Sequence, residues 1–253
     1  MTLIPKIKKI KKIYTIKINI RNTKNLFKDV IHLFFNQSNL RKIINFIKNF
    51  FKKTKTHINR NDFYEGKYFD HGDWFIFKAP LLIDYFDNMD KNDIIEILEI
   101  GSWEGRSACF FLNYFRQSTL TCVDTWKGSV ENFDNSTPDL NSVEKNFDKN
   151  VFEFKNRVIK NKMRSKIFFQ SNKKKFDFIY IDGSHFHDDV LNDAEDGFNA
   201  LKKDSYMLFD DYTWNFYKRG NNPINAINFF LKLNKEKIKI IYISHQVLIK
   251  KIS

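Results

Sequence analysis

The sequence has little of the residues that staple or punctuate a chain: two cysteines, four prolines and eight glycines among 253 residues. Two cysteines do not make a disulfide framework. Cys109 and Cys122 each fall in an apolar segment, where a thiol behaves as a small hydrophobe, and a cytoplasmic setting is expected. No run of apolar residues is long enough to span a membrane. The N-terminus lacks an uninterrupted apolar core followed by small residues, so a secretory signal is not expected. Acid is nearly missing from the first 60 residues, where 16 Lys and Arg face only Asp29. The remaining residues hold 27 basic and 29 acidic side chains, so the formal +13 belongs wholly to the N-terminal extension. A near-neutral remainder argues against a nucleic-acid groove there, and no nucleic-acid partner is expected. Lys, Asn, Ile and Phe abound while Gly and Pro are scarce, a bias toward A/T-rich codons that accounts for part of the lysine count. What is there is apolar enough, at 42% hydrophobic, to exclude general disorder.

Three regions follow. Residues 1–60 form a basic helical extension with two amphipathic stripes. Leu26, Phe27, Val30, Ile31, Phe34 and Phe35 share one face; Leu40, Ile43, Ile44, Ile47, Phe50 and Phe51 share another. Such helices pack on the main domain, pair two subunits, or lie on an anionic membrane surface. Residues 61–90 are aromatic, and Asp73-Trp74-Phe75-Ile76-Phe77 followed by Leu81, Leu82 and Tyr85 reads either as a cap over a site or as a helix covering a sheet edge. From residue 91 to 253, apolar runs alternate with helical patterns at βα spacing. Strands are expected over 94–100, 120–123, 157–160, 176–181 and 207–209, and helices over 105–116, 142–155, 165–174, 188–202 and from Pro223 onward. Two β-like runs, 238–243 and 246–252, close the chain. The two residues between them make that pair an antiparallel hairpin, since a parallel pair needs a long crossover. The fold class is therefore α/β: a Rossmann-like, doubly wound, mostly parallel seven-stranded sheet ending in an antiparallel hairpin.

Ligands of such sheets bind at the carboxyl ends of the strands. Glu99-Ile100-Gly101-Ser102-Trp103-Glu104-Gly105-Arg106-Ser107 lies where the first strand meets the first helix. Gly101 permits a tight turn and Gly105 close helix–strand packing. The middle glycine of the dinucleotide fingerprint is missing, so a pyrophosphate has no obvious seat. Glu99 would repel a diphosphate but can pair with an amino group. Asp124 ends the second strand, where a carboxylate accepts hydrogen bonds from ribose hydroxyls. Trp126 either borders an adenine or simply packs. Asp182 ends the fourth strand in Asp182-Gly183-Ser184-His185, and Asp210 and Asp211 end the fifth. Three converging carboxylates repel one another unless a cation intervenes, and a hard divalent ion such as Mg2+ would resolve the conflict. The alternative is that these acids cap helices and bind loop amides.

The set EIGSWEGRS, VDTW, FDFIYIDGSH and FDDY resembles the class I S-adenosylmethionine-dependent methyltransferases, in the branch containing macrocin-type sugar O-methyltransferases. The resemblance spans residues 94–252. It implies that Glu99 and Gly101, with Ser102 and Gly105 of the same turn, meet the cofactor, that Asp124 holds its ribose, and that Ser165 lies where adenine is contacted. It also implies that Asp182, itself beside the cofactor, joins Asp210 and Asp211 in holding Mg2+, and that His185 is the base. His187 competes for that last role. The motif over residues 162–165 matches the family weakly, and residues 1–60 fall outside the resemblance. The function implied is Mg2+-assisted methyl transfer to a hydroxyl of a sugar, polysaccharide or small diol. An NAD-dependent enzyme and a non-catalytic adaptor with a decayed cofactor fold are the rival readings.

Overall fold

The computed structural model describes residue 59 and residues 61–128, 139–214 and 220–253. The two amphipathic stripes of the extension lie outside the described residues. Seven strands, β1 Glu96–Ile100, β2 Thr119–Asp124, β3 Val158–Lys162, β4 Phe176–Ile181, β5 Leu201–Phe209, β6 Ile238–Ile243 and β7 Val247–Lys251, form one sheet in the order β3-β2-β1-β4-β5-β7-β6. Strands β1 to β5 pair in parallel, and β7 runs antiparallel to both β5 and β6. The expected Rossmann-like sheet with its terminal hairpin is thus the fold of the protein. The strand order reverses between β1 and β4, the place where this architecture opens a crevice for ligands.

The helices are α1 Asn61–Tyr64, α2 Ala79–Phe86, α3 Arg106–Tyr114, α4 Leu140–Val151, α5 Ser165–Ser171, α6 His187–Ala200 and α7 Pro223–Leu233. Side chains alternate across the central strands, so each strand feeds two cores. Ile179, Ile181, Met207 and Phe209 face α6 and α7, meeting Val190, Ile227 and Phe230. Phe178, Tyr180 and Leu208 face the other way, onto Phe86 of α2 and Phe110 and Phe111 of α3. All six residues of β4 are buried, as expected of a central parallel strand covered on both sides.

The segment 61–90 joins this second core. Pro80 sits in the first turn of α2, where its missing N–H costs nothing. Ala79, Leu82, Ile83 and Phe86 repeat at helical spacing on its buried face. Phe86 meets Phe178 edge-on at 5.5 Å between centroids, and Tyr85 stacks on Tyr242 at 4.6 Å. Burial of a side chain of this size is worth about 1.5–3 kcal/mol.

Several element boundaries differ from expectation, α4 spanning Leu140–Val151 rather than 142–155 and α5 ending at Ser171 rather than 174. Two more differ because apolarity was the signal and backbone pairing was the cause. Strand β5 starts at Leu201, in register with Phe176, and passes through exposed Lys202, Lys203 and Asp204. A bulge, with Asp204 at φ 61°, separates this start from the apolar end. Strand β3 runs on through Asn161 and Lys162 because an edge strand needs no second apolar face. Among the described residues, no helix is long and apolar enough to cross a membrane.

Candidate active site

The turn after β1 is shaped by steric necessity. Gly101 has φ 85°, and a Cβ there would come within 2.0 Å of the Asp182 carbonyl oxygen. The turn after β1 therefore lies against the turn after β4, where Asp182 N–H donates to Ile100 O at 2.8 Å. Gly105, at φ 80°, opens α3 in the left-handed region that favours glycine.

Glu99 lies beneath this turn, wholly buried. It accepts hydrogen bonds from the hydroxyls of Ser102 and Ser107, each at 2.6 Å, and from the Cys122 thiol at 3.6 Å. Burial pushes its carboxyl up to about 7, against the pull of those hydroxyls. Both oxygens are engaged from within the protein, so Glu99 supports the turn from below rather than presenting a carboxylate at its surface. Asp124 braces the turn from the side. One oxygen accepts from the amides of Ser102 and Trp103 at 2.8 and 2.9 Å; the other accepts from Trp126 N–H at 2.7 Å. A carboxylate has about four acceptor positions, so one stays available at the end of β2 for a ligand hydroxyl.

Two expected cofactor residues are placed elsewhere. Trp126 is buried; its ring packs on Phe147 of α4 at 4.8 Å and its indole N–H donates to Trp103 O at 2.8 Å. Packing, the alternative reading, is what the apolar face of α4 imposes on it. Ser165 opens α5, where its hydroxyl engages Asp193 of α6, a carboxyl that burial pushes up to about 7. That contact joins two helices and accounts for the serine without a ligand.

The segment 61–90 is tied to the same turn. Glu104, buried within it, accepts from the amides of Asp70 and His71 at 3.0 and 3.1 Å and from the Asn146 side chain at 2.8 Å. Arg106 lies over the Phe69 ring at 3.9 Å. These bonds carry the chain across the strand ends and deliver Lys78.

At the ends of β4 and β5, Ile181 pairs with Phe209, so Asp182, Asp210 and Asp211 converge as expected. What lies among them was not expected. Lys78, 8% exposed, forms a short ion pair with Asp210 and approaches Asp211 to 3.8 Å. Burial alone would lower its pKa; the carboxylates of Asp210, Asp211 and Asp182 outweigh that and raise it, keeping the ammonium charged. Asp210 also accepts from Asp211 N–H at 2.7 Å, from the Tyr180 hydroxyl and from Gln246 Nε2 at 3.1 Å. With Lys78 these make four donors on two oxygens.

Tyr180 also lies 2.9 Å from Asp182. Its one proton cannot serve both carboxyl groups at once. Burial and the neighbouring Asp210 and Asp211 raise the pKa of Asp182. Burial would raise Asp211 too, but Lys78 and His185 prevail and lower it.

His185 Nε2 lies 2.7 Å from Asp211 Oδ2, and the Trp214 indole stacks on its imidazole at 4.5 Å with 8° between the planes. Because an ionised carboxylate only accepts, Nε2 carries the proton in the neutral ring and Nδ1 the lone pair. His187 instead faces Asp188 at 2.8 Å, at the start of α6. Asp211 itself sits at φ 52°, a strained region that aspartate tolerates better than most residues.

The expected metal set does not fit this arrangement. Asp210 has no acceptor position left, and the ammonium of Lys78 stands against the same carboxylates. Asp182, His185 and Asp211 can bring one donor atom each within 4.8 Å of one another, but the histidine atom nearest Asp211 already shares a proton with it.

Sequence reasoning passed over Lys78, Tyr180, Trp214 and Gln246. For Lys78 alone a signal existed, a single cation inside the aromatic run from Trp74 to Tyr85.

Residues 98–212 match the family model described as a methyltransferase domain. No curated protein matches the sequence. Among solved structures, the chain is similar to a putative caffeoyl-CoA O-methyltransferase from Staphylococcus aureus, with TM-score 0.52, 16% identity and coverage of 72% of this chain and 86% of that one. A putative O-methyltransferase from Klebsiella pneumoniae gives 0.51 at 11% identity, covering 74% and 84%. The MycE methyltransferase of the mycinamycin biosynthetic pathway, solved with Mg, SAH and mycinamycin VI, gives 0.51 at 12% identity, covering 72% of this chain and 51% of MycE. At such identities these likenesses speak to the fold, and over residues 98–212 the chain is similar to a methyltransferase domain.

Proposed function

We propose that the protein transfers a methyl group from S-adenosylmethionine to a hydroxyl oxygen of a sugar unit or small diol. The observation that carries this reading is the His185–Asp211 pair at the carboxyl end of the sheet, one turn away from the glycine turn that Asp182 touches. Asp124 keeps an acceptor position for ribose, and the fixed turn over Glu99 and Ser102 forms the floor beside it. When bound, the cofactor supplies a methyl carbon made electrophilic by its sulfonium. The chain's own part is to orient the acceptor and receive a proton. Asp211 holds the ring, and the His185 imidazole takes the hydroxyl proton as the oxygen closes on the methyl carbon. Trp214 limits ring rotation by stacking. Trp74 and Phe77 are each 61% exposed, and Phe77 lies beside Lys78 and His245; these are apolar platforms for the face of a sugar ring. MycE, solved with SAH, supports the choice of cofactor by likeness of fold.

The basic extension we assign to docking, on a second copy of the chain or on an anionic membrane surface, because its charge is segregated from a near-neutral remainder.

Calorimetry with S-adenosylmethionine and with NAD, followed by radiolabelled methyl transfer to a panel of sugars and diols, tests the reading. Binding of the first and not the second is expected, with label in a base-stable ether. Binding of NAD alone, or of neither, sinks it.

A further inference from the structure

Three carboxylates at one sheet edge call for a cation, and the chain provides one from 132 residues away. Lys78 is held there by construction. The bonds of Glu104 and Arg106 fix residues 69–71, Asp73 accepts from Ile76 N–H at 2.9 Å, and Lys78 is the residue just before α2. The buried face of α2 then prevents withdrawal. The side chain is 7% exposed and its partner Asp210 is 1% exposed, so water does little to screen the pair. Of the three N–H donors of the ammonium, one goes to Asp210, and Asp211 at 3.8 Å lies beyond a hydrogen bond.

We propose that Lys78 is the built-in cation of this site: it takes the place that a divalent metal would hold between the aspartates, and it offers its remaining N–H donors to the acceptor's oxygens. The inference rests on reading this cluster as the acceptor side of a methyltransferase site. In the transfer step the hydroxyl proton passes to His185. The O–C bond forms as the C–S bond breaks, its electron pair staying on sulfur, and Lys78 stays protonated throughout. Its charge faces the oxygen as that oxygen turns negative, which is the stage at which a fixed charge accelerates a reaction.

The test reads metal binding independently of turnover. Mn2+ is titrated into the full-length wild-type protein and followed by the electron paramagnetic resonance of the free ion, with S-adenosylmethionine affinity measured separately on the same samples. The wild type is expected to show no tight Mn2+ site and to methylate at full rate after exhaustive chelation. Lys78→Met, which empties the position, is expected to bind Mn2+ about tenfold tighter or more, through the freed carboxylates. Lys78→Arg keeps the charge and is expected to gain nothing. Stoichiometric Mn2+ binding by the wild type that Asp211→Asn abolishes would overturn the proposal, and so would loss of activity on chelation. Should Lys78→Met fail to fold, the wild-type titration decides alone. A protein that binds neither Mn2+ nor S-adenosylmethionine refutes the methyltransferase reading while leaving Lys78 as the resident cation.

Discussion

The two halves of the site are built on opposite plans. The half after β1 and β2 joins most of its polar groups locally: Glu99, Ser102, Asp124 and Ser107 bond one another within a stretch of 26 positions, while Glu104 ties the turn to residues 70, 71 and 146. The half after β4 and β5 is completed from afar, by Lys78 from one side and Gln246 from the other. A half closed on itself can be read from a motif. A half completed by distant chain cannot, because its missing members carry no mark in the sequence beside it.

Changes that separate the halves should show the contrast most clearly. His185→Ala touches only the acceptor half; turnover should fall about 10²–10⁴-fold, the contribution of a positioned base. S-adenosylmethionine affinity by calorimetry should stay within about twofold, since the ring's partner Asp211 belongs to the acceptor half. A variant that retained most of its turnover would remove His185 from the chemistry.

Gly101→Ala strikes where the halves touch. The added methyl must displace the backbone of Asp182 and hold a left-handed φ, two sources of strain that together should cost about 3 kcal/mol or more. Chemical denaturation would measure it, and an unchanged midpoint would mean the two turns are not in contact.

A pH series distinguishes the halves by charge. Folded Glu99 keeps its proton up to about 7, because of burial, whereas the unfolded chain releases it near 4.5. Between those values the folded state binds more protons, so stability falls as pH rises, by roughly 3 kcal/mol from this residue. Asp193, also pushed up to about 7, adds a slope of the same sign. Glu99→Gln should remove its own share and flatten the profile, leaving that of Asp193. An unchanged slope in the variant would show that Glu99 is already ionised in the fold.

Asp124→Ala should weaken S-adenosylmethionine by about 1.5–3 kcal/mol, the scale of hydrogen bonds to a charged group. It also frees three backbone amides, so the effect should appear in stability as well as in affinity. The smallest effect is expected from removing residues 1–56, which should leave cofactor affinity unchanged. Native mass and liposome sedimentation would then show whether the extension serves assembly or a surface.

The sheet was legible because strands buried on both sides leave continuous apolar runs: Phe176–Ile181 could hardly be anything else. The hairpin was legible because two residues permit no crossover. The glycine turn and three of the acids were legible because their places at strand ends follow from topology. Illegible elements share a cause. The start of β5 is polar and is held by backbone pairing, Trp126 and Ser165 look the same whether they meet a ligand or a neighbouring helix, and Lys78 acts in three dimensions on residues 132 positions away. The repulsion among the aspartates was read correctly as a demand for positive charge. Lys78, a cation placed among them by the fold, was not foreseen, since a lone lysine leaves too little trace in a sequence.

Tyr180, Asp210 and Gln246 meet at one carboxylate, and Gln246 lies in the turn before the last strand. The order in which the ribosome makes the chain therefore bears on this site. Asp210 emerges before the glutamine that completes its hydrogen bonding, and β5 stays an open sheet edge until β7 is made and can pair with it. Closure of the hairpin is thus the event that turns a growing chain with an unfinished acidic edge into one with an assembled site.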